Sequence, residues 1–228
     1  MCCGLSVGSQ RPPRNPGTDP PLSADPQWLE WAKRLSAAAQ NGLAYNDDPF
    51  NVERYESIRA IASEMMAAGV GGDPAVIRDL MDREVGHATP KVDVRGVVIQ
   101  EDRVLLVRER SEGLWSLPGG WADVYDTPSE ATVREIYEES GYRTRAVKLL
   151  ALLDRDRQGH PPMPFHAYKV FFLCELLGGE PATSVETDEV GFFPLDGLPP
   201  LSVGRVTEAQ IRRFFQHHRN PTLPTDFD

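Results

Sequence analysis

The chain has 228 residues, a formal net charge of −10, 40% hydrophobic residues and 25% charged residues. This composition is ordinary for a globular protein, and the length supports one or two domains with a real core. The acidic balance argues against duplex nucleic acid as a partner, because that binding needs a basic footprint. An anionic substrate would be repelled overall, so phosphate binding needs local help from metal ions or arginines.

Targeting signals are not evident in the sequence. No apolar run approaches about 18 residues, so we expect no transmembrane helix and no membrane partner. The N-terminus lacks the apolar segment of a secretory signal, and three scattered cysteines form neither a disulfide framework nor a zinc pattern. The cytoplasm is therefore the expected compartment. Residues 1–25 are rich in Pro, Gly, Ser and Arg without periodicity, which predicts a disordered tail.

Residues 26–88 follow a helical pattern and are predicted to form a small N-terminal helical domain. A second apolar stripe runs from Val52 to Met65 and ends near Gly69, and Asp73-Pro74 is a typical start for a short third helix. The first stripe consists of Trp28, Trp31, Leu35 and Ala38, with Leu29 and Ala32 beside them.

Residues 89–228 change to strand-like patterns interleaved with helices. Val92–Ile99 and Val104–Val107 predict a hairpin, and Thr207–Gln210 is a capping box that opens a last helix. This alternation predicts an α/β domain with a mixed sheet and helices on its faces. Further strands are predicted at Leu149–Leu153, Tyr168–Leu173 and Val190–Phe193.

One short helix concentrates acidic side chains. Thr127–Glu130 is a capping box with proline at the first helical position, and Gly141 supplies a left-handed stop. Glu135, Glu138 and Glu139 fall within about 100° of one helical face. The apolar positions Val133, Ile136 and Tyr137 are predicted to face the other way and pack on the sheet.

Like charges this close cost an isolated helix roughly 0.2–0.5 kcal/mol per pair, which indicates a bound cation. Gly119 and Gly120 precede the helix in a turn whose free carbonyl would complete an all-oxygen site suited to Mg²⁺ or Mn²⁺. A solvated acidic face with Arg134 as local ion-pair partner is the alternative for such a run taken alone.

The stretch from Gly120 to Tyr142 resembles the Nudix box, Gx5Ex7REUxEExGU, where U is a bulky aliphatic residue. Two positions depart from it. Asp126 stands where the box has Glu, so the side chain that would form a supporting salt bridge to Arg134 is one methylene shorter. Tyr142 replaces an aliphatic residue. The matching positions are Gly120, Arg134, Glu135, Ile136, Glu138, Glu139 and Gly141.

The wider chain, from about Pro26 to Phe215, is similar to a Nudix subfamily with a helical N-terminal domain. This subfamily includes proteins like CDP-choline pyrophosphatase and ADP-ribose pyrophosphatase. The resemblance implies an α/β/α sandwich, homodimers assisted by the N-terminal helices and dependence on Mg²⁺ or Mn²⁺. The segments that carry it are KVDVRGVVI, LLVRERSEGLWSLPGGWADV, LLALLDRD and EVGFFPLDGLPPLS.

The resemblance also implies an activity, namely hydrolysis of a nucleoside diphosphate linked to another group, X. Glu135, Glu138 and Glu139 would hold the ions with a carbonyl from Gly119 or Gly120, and Arg134 would orient the glutamates. For the general base, Glu135 is the candidate within the box. Glu186 and Glu189 are the candidates from a distant loop, and a merely solvated loop is the alternative for both.

Several residues outside the box are candidates for substrate binding. Arg95, Arg108 and Arg110 are predicted near the cleft, where they would clamp phosphate, or else to be exposed strand residues. Trp115 and His166, together with Phe165, would contact a base or ribose, although packing is the commoner fate of such aromatics.

Two other functions stay open at this point. A Nudix-fold module can bind a nucleotide as a sensor without hydrolysing it, but the intact REUxEE segment favours an enzyme. Trimming of RNA 3′ ends uses the same metals, but single-strand binding calls for stacking aromatics along a basic groove. The nucleobase and the X group are not fixed by the sequence.

Overall fold

The structure, a computed structural model, describes residues 25–228. The part of the predicted tail at residues 1–24, including Cys2 and Cys3, lies outside the described residues. The helices are α1 (Gln27–Tyr45), α2 (Pro49–Val70), α3 (Pro74–Asp82), α4 (Pro128–Ser140) and α5 (Glu208–Arg219). The strands are β1 (Lys91–Gln100), β2 (Arg103–Glu109), β3 (Trp115–Ser116), β4 (Tyr142–Asp154), β5 (Ala167–Gly179), β6 (Thr187–Pro194) and β7 (Asp226–Phe227).

Helices α1 to α3 pack on one another around a small core of their own. Gly69 on α2 gives the indole of Trp28 room to approach, since a Cβ there would lie 2.1 Å from the ring. Trp31 and Leu35, predicted in the apolar stripe of α1, are instead 48% and 38% exposed. The buried face of α1 is shifted round the helix to Leu29, Ala32, Ser36 and Ala39.

The second part of the chain is built on a mixed sheet, as predicted from the alternating pattern. Its strand order is β3-β2-β1-β5-β4-β7, with β6 paired to β2. β1 and β2 form the predicted antiparallel hairpin, whereas β1 and β5 run parallel. The chain is thus of mixed α/β class, with N-terminal helices preceding the sheet. Within residues 25–228, none of the helices combines the length and the apolar character that a membrane span requires.

Helices cover opposite faces of the sheet. Ile136 of α4 packs with Val98, Leu105 and Cys174, and a Cβ on Gly96 would lie 2.4 Å from its side chain. Ile211, Phe214 and Phe215 of α5 pack on the other face, as their helical spacing predicted. Because successive strand residues point to opposite faces, β1 contributes to both cores.

Ion pairs connect the C-terminal segment to α5. Asp226 at the start of β7 accepts hydrogen bonds from Arg213 at 2.7 Å through both carboxylate oxygens, and its Oδ2 lies 2.9 Å from His217 Nε2. Because Arg213 donates to the ionised carboxylate, it lowers the pKa of Asp226 below its ordinary value. The ionised form of Asp226 therefore stabilises the folded state.

We expect Asp226→Asn to destabilise the protein by about 1 kcal/mol at pH 7. Because the pKa is lower in the folded state than in the unfolded chain, this contribution is present above about pH 4 and is lost as the pH falls. Urea unfolding of both proteins between pH 3 and pH 7 measures it. A difference in unfolding free energy that stayed constant down to pH 3 would contradict this assignment.

Candidate active site

The glycine turn before α4 lies alongside β1 as an added strand. Val94 N donates to Gly120 O at 2.8 Å, Gly96 N to Pro118 O at 2.8 Å and Ala122 N to Val92 O at 2.9 Å. These bonds engage the Gly120 carbonyl, whereas no donor within residues 25–228 is bonded to the carbonyl of Gly119. Of the two predicted carbonyl ligands, Gly119 is therefore the one with its oxygen available.

Glu139 connects α4 to this turn. Its side chain is buried, and Oε2 accepts a hydrogen bond from Gly119 N at 2.8 Å. Burial, reinforced by the charges of Glu109 and Glu135, raises the pKa of Glu139 to about 8, although Arg95 and the Gly119 amide act in the opposite direction. The fold thus places the Glu139 carboxylate where the neighbouring positive groups do not fully offset its negative charge.

Glu135 lies beside the same turn. A Cβ on Gly120 would be 3.1 Å from Glu135 Oε2, so glycine at this position gives the carboxylate access to the backbone. Burial raises the pKa of Glu135, and the neighbouring Arg134 lowers it in part. Glu135 and Glu139 therefore both reach the Gly119-Gly120 backbone from one helix.

Arg134 holds the surrounding acids in place. Its guanidinium lies 3.1 Å from Asp126, 2.9 Å from Glu135 and 3.0 Å from Glu138, and it also pairs with Asp123 at 3.0 Å. The salt bridge to Asp126 that the sequence suggested is present, so the shorter acid still reaches the arginine. Among the three glutamates, Arg134 contacts Glu135 and Glu138 directly.

The predicted division of α4 into two faces is wrong in detail. Glu139 lies on the buried face with Ile136 and Ser140, whereas Tyr137, predicted to pack on the sheet, is 56% exposed. The C-terminal end of the helix contacts the start of β6, because the Thr187 hydroxyl donates to Glu139 O at 2.8 Å. The burial of Glu139 therefore goes with its contacts to the glycine turn and to β6.

The chemistry of the donors fits a hard divalent cation. Two half-buried or buried carboxylates with raised pKa and one free carbonyl oxygen are the ligands such an ion prefers. Glu138 pairs with Arg134 at 3.0 Å, and its side chain is 54% exposed. Within residues 25–228, the group of three acidic or histidine ligand atoms that all lie within 4.8 Å of one another belongs to Asp154, Asp156 and His166.

Some of the predicted substrate-binding residues are buried, and the others are bonded to other groups of the protein. Arg95 is only 5% exposed and donates to Asp93 at 2.8 Å and to Leu117 O at 3.1 Å. Trp115 is in the core, edge-on to Phe193 at 4.7 Å between ring centroids. The structure therefore gives Trp115 a packing role and places Arg95 behind Glu139.

The other arginines contact the start of β6 and the segment before it. Arg108 pairs with Asp188 and Glu189, both at 2.7 Å, and Arg110 donates to the carbonyls of Ser184 and Thr187 at 3.1 Å. Glu189, predicted as a loop candidate for the general base, lies instead within β6 and is engaged by Arg108.

His166 lies with the converging acids rather than at the glycine turn. Its Nε2 is 3.2 Å from Asp154 Oδ1, and this contact raises the pKa of His166. Phe165, the preceding residue, packs on the core of the N-terminal helices. Phe165 therefore joins the helical part of the chain to the sheet.

Two residues that the sequence interpretation passed over lie in or beside the site. Glu109 is buried, pairs with Arg205 at 3.0 Å and repels Glu139; with Glu186 it lines a cavity of about 400 Å³. Trp121, directly after the glycine pair, is 47% exposed. The position of Trp121 directly after the glycine pair was the sequence signal that could have identified it. Glu109, a lone glutamate in an apolar strand, gave no such signal.

Comparison with family models identifies both parts of the chain. Residues 89–214 match the model described as "NUDIX domain", and residues 26–81 match "UDP-X-like, N-terminal oligomerisation domain". The "Putative ADP-ribose pyrophosphatase YjhB" of Bacillus subtilis is 46% identical over 91% of this chain and 100% of its own length. An ADP-ribose pyrophosphatase of Methanocaldococcus jannaschii is 33% identical over 50% of this chain and 67% of its own.

Solved structures show the same similarity. An ADP-ribose pyrophosphatase from Streptococcus suis superposes with a TM-score of 0.57 at 44% identity, covering 61% of this chain and 100% of that one. A UDP-X diphosphatase also has a TM-score of 0.57, at 32% identity, and the match covers 88% of this chain and 97% of its own. The second match extends over the N-terminal helices as well as the sheet.

Proposed function

Because the chain belongs to the Nudix hydrolase family, we propose that it cleaves the diphosphate bond of a nucleoside diphosphate linked to a group X. The products are a nucleoside monophosphate and phosphorylated X. Relatives named as ADP-ribose pyrophosphatases and a UDP-X diphosphatase support ADP-ribose-like or UDP-linked substrates, with CDP-choline as a further member of the same chemical class. The observation that carries the proposal is the approach of Glu135 and Glu139 to the Gly119-Gly120 backbone.

Nudix hydrolases generally use divalent metals, and we propose Mg²⁺ or Mn²⁺ here. Glu135, Glu138 and Glu139 with the Gly119 carbonyl would hold the ion, and the Gly120 carbonyl is left to its bond with Val94. Such an ion would neutralise diphosphate charge and would make a bound water a better nucleophile. The raised pKa of Glu139 supports this assignment, because a nearby cation would favour the ionised carboxylate.

Other groups of the protein orient the glutamates at this site and offset their negative charge. Arg134 fixes Glu135 and Glu138, and the bond from Gly119 N fixes Glu139. Arg95, buried behind the turn, offsets the negative charge of Glu139. Glu135 remains the candidate base within the box, and Glu186 is the better placed loop acid, because Arg108 engages Glu189.

The direct contacts of Arg108, Arg110 and His166 with substrate stay predictions. Each already has protein partners, so each would have to exchange an existing bond for a phosphate or ribose oxygen. Trp115 has no such route, because it is enclosed in the core.

We also propose that residues 26–88 and 89–228 are separate domains and that two chains form a homodimer through the helices. The family description of the N-terminal domain supports oligomerisation. So do the exposed apolar side chains on these helices, such as Trp31, Phe50 and Ile61. We propose that the protein is a cytoplasmic enzyme that acts on small nucleotides and has no duplex nucleic acid or membrane partner.

A substrate screen with purified protein tests the function. The protein is incubated with Mg²⁺ or Mn²⁺ and ADP-ribose, UDP-glucose, CDP-choline, NADH or a dinucleoside polyphosphate, and the products are separated by chromatography. We expect a nucleoside monophosphate from at least one nucleoside diphosphate derivative, and none after removal of metal with EDTA. Binding without product would identify a nucleotide sensor instead, and nucleotide release from a short RNA alone would identify 3′-end trimming.

A further inference from the structure

A cavity of about 520 Å³ lies between the N-terminal helices and the glycine turn. Its volume is within the range of about 300–1,000 Å³ that small-molecule pockets occupy. It is next to the proposed diphosphate site, because Trp121 in its wall directly follows Gly120 and adjacent Cα atoms are about 3.8 Å apart. Its lining residues are Leu80, Glu84, Lys91, Val92, Trp121, Ala122 and Phe165.

Trp121 stands on a rigid backbone at the wall of this cavity. Hydrogen bonds from Val94 N to Gly120 O and from Ala122 N to Val92 O bracket it, so its backbone is fixed against β1. Its indole is 47% exposed although the flanking residues are bonded to the strand. A half-exposed indole on a fixed backbone offers a stacking surface for a planar ring.

The opposite part of the lining combines apolar and polar groups. Leu80 comes from α3, and Phe165 has Lys91 Nζ 5.0 Å from its ring centroid. Lys91 also pairs with Glu84 at 2.7 Å. The cavity therefore offers an aromatic face, an aliphatic wall, one hydrogen-bond donor group and one acceptor group. This combination suits a nucleobase, which has flat apolar faces and polar edges.

We propose that this cavity binds the nucleobase of the substrate, with Trp121 stacking on the ring and Glu84 and Lys91 facing its polar edge. The assignment rests on the proposed function, because the diphosphate at Gly119-Gly120 places the attached nucleoside beside Trp121. It makes the N-terminal domain part of substrate recognition, since Leu80 and Glu84 precede the sheet. Trp121, rather than Trp115, is then the tryptophan that determines specificity.

Isothermal titration with AMP, UMP and ribose 5-phosphate in the presence of Mg²⁺ tests this inference without turnover. We expect AMP or UMP to bind the full-length protein about tenfold more tightly than ribose 5-phosphate, within the range that stacking on an aromatic residue provides. The difference between AMP and UMP identifies the preferred ring. Trp121→Leu should remove the advantage of the base and leave ribose 5-phosphate binding unchanged, and Trp121→Phe should retain most of it.

Tyr125→Leu is the matched control, because Tyr125 is a fully exposed aromatic residue of the same loop outside the cavity. It should bind all three ligands as the unmodified protein does. If folded Trp121→Leu bound AMP and UMP like the unmodified protein, the proposal would be overturned. If Trp121→Leu lost the dimer in sedimentation while its nucleotide affinity was unchanged, the proposal would likewise be overturned, and the cavity would be a subunit contact. Nucleotide binding without hydrolysis would reject the proposed function while leaving this site in place.

Discussion

Glu139→Gln is expected to lower turnover by at least about 10²-fold while the fold is retained. Glutamine keeps an oxygen that can accept the 2.8 Å bond from Gly119 N, but it removes the negative charge that the proposed cation needs. Stability should not fall, because burial and the charges of Glu109 and Glu135 already disfavour the ionised carboxylate. Steady-state kinetics with Mg²⁺ and thermal unfolding measure the two effects separately.

Two further measurements make this result specific to the site. Glu208→Gln removes an exposed acid that pairs with Arg212 on α5, and it should leave turnover unchanged. Titration with Mn²⁺ should show weaker binding in Glu139→Gln than in that control. Near-normal turnover by Glu139→Gln with its Mn²⁺ affinity intact would remove Glu139 from the metal site.

Gly119→Ala should destabilise the protein by about 3 kcal/mol or more and abolish activity. Gly119 has φ +144°, a conformation that residues with a side chain rarely adopt. A Cβ there would also lie 2.1 Å from the carbonyl oxygen of Val94 and 2.8 Å from Arg95 Cα. Both obstacles are backbone atoms of a central strand, so the clash cannot be relieved by rotating a side chain.

Urea unfolding measures this effect, with Gly204→Ala as the control. Gly204 has no atom within 4 Å of a built Cβ and no positive φ, so its substitution should change stability by less than about 1 kcal/mol. If Gly119→Ala unfolded at the same urea concentration as Gly204→Ala, the close approach of the turn to β1 would be incorrect. The carbonyl geometry proposed for metal binding would then also fail.

The sequence was most informative where local rules are strong. The capping boxes at Thr127 and Thr207, and the glycine stop at Gly141, are present as predicted, because they depend only on residues within a few positions. The hairpin of β1 and β2 likewise follows from alternation and a short turn. The family resemblance, which rests on fixed spacing in one segment, is confirmed by the match over residues 89–214.

The sequence was less informative where a side chain's surroundings come from distant segments. Tyr137 and Trp31 were expected to be packed but are exposed, and Arg95 is buried against Asp93 beneath the turn. Periodicity gives the direction in which a side chain leaves its element, but not whether another element covers that direction.

By itself the sequence determined that one capped helix carries three glutamates and an arginine within about one turn, and that a glycine pair precedes this helix, since helical spacing and turn chemistry are local properties. Only the tertiary structure decided which of these groups are buried, that Gly119 rather than Gly120 keeps a free carbonyl, and that Trp121 lines a cavity with α3. The reason is physical: burial, charge compensation and cavities are made by segments far apart in the chain, and folding alone brings them together.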